Sequence, residues 1–174
     1  MFVTDWLSSQ TSNRVDVFCD AHILPFGNDA ADSILLTEVL EHLADPRQAL
    51  REAFRVLKNG GALLMTTPFL YQAHQRPFDF FRFTYDGLIL IATEAGFREV
   101  SVSRRGESFA VGLNALKTFH QQLQLRGIRL PGVPQLLHFA ERVYVRRFAH
   151  RSLTVPLSRD PMALGYTVVA RKPV

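Results

Sequence analysis

The sequence predicts an α/β fold built on an open, mostly parallel sheet, and three features predict it. "DSILLTEV" (Asp32–Val39) is a near-continuous apolar run, as expected of a parallel strand covered on both faces. An amphipathic helix follows, and "ALLMTTP" (Ala62–Pro68) is a second buried-strand pattern halted by proline. Two strands joined through a helix by short links form a right-handed crossover, the building unit of such sheets.

The elements follow in chain order. "RVDVFCDA" (Arg14–Ala21) alternates and ends in an acid, which reads as a short strand. "LPFGNDAAD" (Leu24–Asp32) gathers Pro25, Gly27, Asn28 and Asp29, all turn formers. Asp45 is an N-cap candidate with Pro46 at the first helical position. Leu50, Ala53, Phe54 and Leu57 give that helix one apolar face, Lys58 falls in its last turn, and Gly60 and Gly61 are expected to end it. "FLYQAHQRPFDFFRFTYDG" (Phe69–Gly87) has no clean period and reads as a structured loop. Thr84–Phe97 is a capped helix closed at Gly96, and "FREVSVSRRG" is an alternating strand. A helical insert over 107–160 precedes the last strand, "LGYTVVARKP". Its first helix carries an apolar stripe of Val111, Ala115, Leu116, Phe119 and Leu123. Its second carries Leu136, Leu137, Ala140, Val143, Tyr144 and Phe148.

A chain of 174 residues with 47% hydrophobic and 21% charged content suits a single globular domain spanning 1–174. No run of about 18 apolar residues predicts a membrane span, and the N-terminus lacks the basic and apolar regions of a signal peptide. Cys19 is the only cysteine, so no internal disulfide and no metal cluster is expected, and a reducing cytoplasm fits. Charge is uneven. Residues 1–96 hold 7 Lys/Arg against 12 Asp/Glu, and residues 97–174 hold 13 against 4. Arg142, Arg146, Arg147 and Arg151 on the second insert helix make it a candidate for peripheral contact with an anionic membrane, with a solvated surface helix as the plainer reading. No nucleic-acid recognition motif accompanies them.

In open α/β sheets ligands bind beyond the carboxyl ends of the strands. Asp20, the segment Glu38–His42 and the loop from Pro68 to Arg82 all fall at such ends. The stretch "DAHILPFGNDAADSILLTEVLEHLADPRQALREAFRVLKNGGALLMTTPF" resembles the class I S-adenosylmethionine-dependent methyltransferases, particularly the type 11 group. The resemblance implies a Rossmann-like sheet whose last strand is antiparallel, with S-adenosylmethionine as cofactor. It implies that Asp20 accepts from the adenine amino group while Ala21 offers its backbone N–H. "FVTDW" resembles the strand whose terminal acid, Asp5, binds the ribose hydroxyls. Thr37, Glu38, Glu41 and His42 would lie under the methionine portion. Glu41 and His42 also have a plain reading, as a helix-entry pair.

The loop "HQRPFDFFRFTYDG" resembles a pattern common in that group. His74, Asp79, Arg82 and Tyr85 within it, and Tyr71 just before it, are candidates for acceptor binding, with His74 as the candidate catalytic base. The plainer reading is an internal Asp79–Arg82 pair that stiffens the loop. Phe69, Tyr71, Phe78, Phe80, Phe81 and Phe83 would wall an apolar acceptor pocket or simply pack the loop. The implied function is methyl transfer to a small-molecule or lipid-like acceptor. The alternatives are a catalytically silent binding protein and, least favoured, a nicotinamide enzyme, for which no G-x-G-x-x-G follows a strand.

One departure stands out. No E/D-x-G-x-G-x-G segment occurs, and the family's first strand, central in its sheet, has no counterpart. Each unsatisfied backbone group on the strands it would separate costs about 1–3 kcal/mol. The expected remedies are re-pairing of the fourth family strand with the second, a strand borrowed from a homodimer partner, or a longer gene product with an earlier start.

Overall fold

The computed structural model describes residues 4–5, 16–147 and 162–174, the first pair as backbone alone. Asp5's side chain, Phe148 and Arg151 therefore lie outside the described residues. Two short strands, β1 (Thr4–Asp5) and β2 (Val17–Phe18), pair in parallel. A four-stranded sheet contains β3 (Ala31–Thr37), β4 (Leu57–Pro68), β5 (Arg98–Arg105) and β6 (Gly165–Arg171), in the order β3-β4-β6-β5. β3 and β4 are parallel. Gly60 N–H bonds Lys172 O at one end of β4, and Phe69 N–H bonds Leu164 O at the other, so β6 runs antiparallel to β4. Leu164 N–H also bonds Arg105 O, which makes β6 antiparallel to β5. The expected fold class, with its antiparallel last strand and helical insert, is what the chain forms.

Helix α1 (Pro46–Val56) begins as expected: Asp45 Oδ1 accepts the Gln48 N–H at 3.0 Å, and Pro46 occupies the first turn. Its end differs. The chain turns extended at Leu57, and Lys58 to Gly61 belong to β4. The glycines do not stop the helix. Gly60, at φ 76°, sends its N–H to the end of β6, and the register against β3 shifts between Ala31 and Ser33. Lys58 accordingly pairs with Asp32 at 2.8 Å instead of facing a helix terminus.

Helix α2 (Tyr85–Glu94) is capped by Thr84 Oγ1, which accepts from Gly87 N–H at 3.1 Å. Phe54 of α1 meets Phe97 edge-on at 5.2 Å, and Arg47 pairs with Glu94.

By contact density the chain separates into two units. The first comprises Met1–Thr67, Ala73–Val102 and Thr167–Val174. Its core is apolar and fully enclosed: Leu40, Leu50, Leu57, Leu63, Met65, Leu88, Phe97 and Val168 are each 0% exposed. Near its edge, Lys172 Nζ bonds Asp29 Oδ1 and the Leu57 carbonyl at 2.7 Å each, with Phe54's ring beneath it. The second comprises Pro68–Gln72 and Ser103–Tyr166 and contains α3 (Ser108–Leu125) and α4 (Val133–Arg147).

Two expectations of burial need correction. β3 is not covered throughout: Leu35 is 62% exposed, and among the described residues no strand pairs with the β3 edge opposite β4. Ser33, Leu35 and Thr37, alternate residues on one face of β3, are all exposed, so it is that face that lies uncovered. Among the described residues β3 does not pair with β1 or β2. On α3 the expected stripe is also rotated. Ala110, Val111, Leu113 and His120 are buried, whereas Leu116 and Phe119 are 57% and 61% exposed. Stacking of Phe109 on Tyr144 at 5.3 Å and the Lys117–Glu141 pair at 2.6 Å fix which face meets α4.

Candidate functional site

β3 delivers the chain to the site. After Thr37, its last residue, Glu38 takes the left-handed conformation (φ 52°), which costs an L-residue energy and is typical of functional turns. Its N–H is held by Thr66, by the carbonyl at 3.0 Å and by Oγ1 at 3.2 Å. The sharp turn leads into a single 3-10 turn, Leu40–His42, with Leu40 sunk in the core. Leu40's burial drags its neighbour inward, so Glu41 is 0% exposed. The Glu41 carbonyl accepts Phe80 N–H at 2.9 Å and Phe81 N–H at 3.3 Å, tying the turn to the loop that precedes α2.

Glu41's carboxylate is the unusual group. Both oxygens are buried, and neither has a hydrogen-bond partner. His42 Nε2 lies 3.6 Å from Oε1 and His74 Nε2 lies 3.8 Å from it, too far for hydrogen bonds. Burial pushes the Glu41 carboxyl above its ordinary range. The histidine rings meet edge-on at 4.8 Å. His42 Nδ1 lies 2.5 Å from the Phe78 carbonyl. A carbonyl only accepts, so Nδ1 carries the proton and Nε2 presents its lone pair toward Glu41.

The loop that supplies His74 is braced by Asp79, whose side chain is 4% exposed. Arg82 grips it with two bonds, of 2.6 and 2.9 Å, and donates to Phe81 O at 2.8 Å. Asp79 Oδ2 accepts the His74 N–H at 3.0 Å and sits 3.8 Å from His74 Nδ1. The Arg82 bonds hold the Asp79 carboxyl far below its usual range. Arg82's guanidinium is thus engaged inside the loop. Phe83 is buried beneath, while Phe78, Phe80 and Phe81 are 40%, 48% and 37% exposed and form a chain of ring contacts.

Asp20 follows β2 and caps a turn. Its Oδ1 accepts the His22 N–H at 2.8 Å and meets His22 Nδ1 at 2.6 Å, and these contacts lower its carboxyl. The side chain is nonetheless 60% exposed. Ala21 lies half-buried in the same turn. His22 Nε2 accepts Asp45 N–H at 3.2 Å, so this turn is stitched to the start of α1.

The structure gathers Glu41, His42 and His74 into one cluster, with Asp79 and Arg82 behind it. Tyr85 is the first residue of α2, half-buried. Tyr71 belongs to the second unit, where it is 47% exposed. Asp5 sits in β1 opposite Phe18.

Sequence reading missed the clamp under the Leu24–Asp32 turn. Arg55 donates to the Leu24 and Phe26 carbonyls at 3.0 and 2.8 Å and to Asn28 Oδ1 at 2.9 Å. Glu52 holds Arg55 at 2.7 Å and accepts Leu24 N–H at 2.9 Å. The i, i+3 spacing of Glu52 and Arg55 was the available signal, but it is common on any solvated helix.

An open α/β sheet with its final strand reversed, and with acids just beyond the carboxyl ends of β2 and β3, defines a Rossmann-like fold. A family model described as a methyltransferase domain matches residues 5–65. Over those residues the chain is similar to the class I S-adenosylmethionine-dependent methyltransferases of the type 11 group. It is 34% identical over 103 residues to 2-methyl-6-phytyl-1,4-hydroquinone methyltransferase of Arabidopsis thaliana, covering 54% of this chain and 29% of that one. It is 49% identical over 49 residues to an uncharacterized 37.1 kDa protein in a transposon of Streptomyces fradiae, covering 28% and 14% respectively. Among solved structures it is similar to the [4+2]-cyclase SpnF, with TM-score 0.53 and 25% identity over 94% of this chain and 58% of that one. The chain spans less than a third of the length of these two curated relatives.

Proposed function

We propose that this chain binds S-adenosylmethionine and directs methyl transfer to a small acceptor carrying an apolar ring or tail. The observation that carries the reading is the cluster of Glu41, His42 and His74 at the carboxyl end of β3, beside the exposed rings of Phe78, Phe80 and Phe81. Similarity to hydroquinone methyltransferases supports an acceptor of this kind.

The residues present fit the adenosyl end of the cofactor. Asp20's exposed carboxylate accepts without donating, which suits an amino group, and Ala21 follows it with a backbone N–H. When bound, the sulfonium supplies an activated methyl group. The chain's task is to hold and align the acceptor and keep water out. The left-handed turn at Glu38 brings backbone close to the ligand rim, and the phenylalanines offer the acceptor an apolar seat. An acceptor that sheds a proton needs a receiver, and His74, braced by Asp79, is the group placed to take it.

Calorimetric titration with S-adenosylhomocysteine tests the reading. Binding at micromolar strength is expected. Asp20→Ala should weaken it about tenfold or more, the loss of one charge-assisted hydrogen bond of about 1.5–3 kcal/mol. No binding at millimolar ligand rejects the proposal. A second reading, a binding protein without methyl transfer, draws on the similarity to a cyclase. S-adenosylhomocysteine binding without transfer of labelled methyl from S-adenosylmethionine to a panel of prenylated and simple hydroquinones would favour it.

A further inference from the structure

We infer that Glu41, His42 and His74 form a binding site for one divalent first-row transition-metal ion, of the zinc, cobalt or iron(II) class. One carboxylate and two imidazoles, each offering one ligand atom, lie within 4.8 Å of one another. An acidic residue near histidines is not by itself a site. Here, however, the carboxylate is 0% exposed with both oxygens unsatisfied, and His42, its ring only 9% exposed, has a buried Nε2 without a partner. A fold that buries an ionisable group and leaves it unbonded bears a cost that a bound cation would remove.

The surroundings are arranged as a metal's outer shell would be. Metal-binding histidines pass their second ring N–H to a carbonyl or carboxylate, which fixes tautomer and orientation. His42 does so to the Phe78 carbonyl, leaving Nε2 for a metal. His74 turns Nδ1 toward Asp79 and Nε2 toward Glu41. The Glu41 backbone is pinned by Phe80 N–H.

Geometry and donor type narrow the ion. Metal–ligand bonds of about 2.1 Å place neighbouring ligand atoms about 3.0–3.4 Å apart. The Glu41–histidine separations of 3.6 and 3.8 Å, within a set of ligand atoms spread over at most 4.8 Å, reach that range with a shift of about 1 Å or less in Glu41 and His74. His74, on the loop and 23% exposed, is the ligand positioned to move. Two nitrogens and one oxygen suit transition metals rather than magnesium or calcium, which prefer oxygen throughout. Three protein ligands leave coordination positions open for water or an acceptor oxygen. In that use, which alone rests on the methyl-transfer reading, His74 serves as a ligand and not as the proton receiver.

The test is metal binding by the full chain, independent of any turnover. After chelator treatment and dialysis, cobalt(II) is titrated while the visible absorption of the protein-bound ion is recorded, and retained zinc is counted by elemental analysis. One equivalent is expected, with zinc displacing cobalt. Glu41→Gln, which keeps the side-chain shape, and His74→Ala, at a partly exposed position, should each lower affinity by at least about a hundredfold. Asp79→Asn should lower it about 10–100-fold. His138→Ala, on the exposed α4 surface, should change nothing. Failure to hold one equivalent, or equal retention by Glu41→Gln and His74→Ala, overturns the inference. Because S-adenosylhomocysteine binding is measured separately, loss of one result leaves the other standing.

Discussion

Replacing Arg82 with alanine should loosen the whole of the candidate site from one end. The substitution removes both bonds to Asp79 and leaves a carboxylate that is 4% exposed with only the His74 N–H as a strong donor. Breaking a buried ion pair from one side typically costs about 3–5 kcal/mol. Arg82 is 26% exposed and Asp79 keeps one donor, so the expected loss here is about 2–3 kcal/mol. For a chain of this size that corresponds to a fall in Tm of about 5–10 °C. The sign with pH follows from the depressed Asp79 carboxyl. Stability from the pair is fully present above the unfolded aspartate pKa of about 3.9 and disappears as pH falls through the lower folded value. Thermal melts of native and Arg82→Ala protein should therefore converge as the pH drops below about 4. The double variant Asp79→Asn/Arg82→Ala should recover much of the loss, since no charge is then stranded. A single variant within about 0.5 kcal/mol of native at pH 7 would refute the reasoning, as would a double variant worse than the sum of the two singles.

Further outcomes concern neighbouring residues. In metal-free protein Glu41→Gln should raise stability at pH 8 by at least about 1 kcal/mol, because a buried unbonded charge is removed. Glu41's folded carboxyl is raised, so its favourable contribution holds below the unfolded value of about 4.3 and is lost as pH rises. The advantage of the variant should thus vanish near pH 4 in chemical unfolding curves. Gly61→Ala would place a methyl 2.7 Å from the Lys58 carbonyl and 3.1 Å from the Asp32 carbonyl, and should destabilise by about 1–3 kcal/mol in urea melts. Gly27→Ala meets nothing within 4 Å and should stay within about 0.5 kcal/mol. Arg55→Ala should free the Leu24–Asn28 turn, seen as faster limited proteolysis there and as weaker S-adenosylhomocysteine binding.

Local chemistry made much of the fold legible. Asp45, Pro46 and Thr84 declare their caps through short-range geometry, and the apolar runs declare β3 and β4. The helix stop at Gly60 was misread because glycine also serves bulged strand entries, and the deciding bond comes from Lys172, more than a hundred residues away. The run Asp32–Val39 suggests a strand covered on both faces, yet Leu35 is 62% exposed, because an apolar run does not reveal which face has a covering layer. The same limit applies at the site. "EH" and "HQRPFD" each looked like ligand-rim residues, but only the fold shows that Glu41, His42 and His74 share one spot. The tautomer of His42 depends on a carbonyl that no pattern names.

The order β3-β4-β6-β5 has a consequence for biosynthesis. β5 leaves the ribosome well before the strand that must join it to β4, and the whole of α3 and α4 is made in between. At roughly 5–20 residues per second, β5 waits several seconds with both edges unsatisfied. During that interval the nascent polypeptide exposes a template for wrong pairing. Slowing translation across the insert should therefore increase dependence on chaperones.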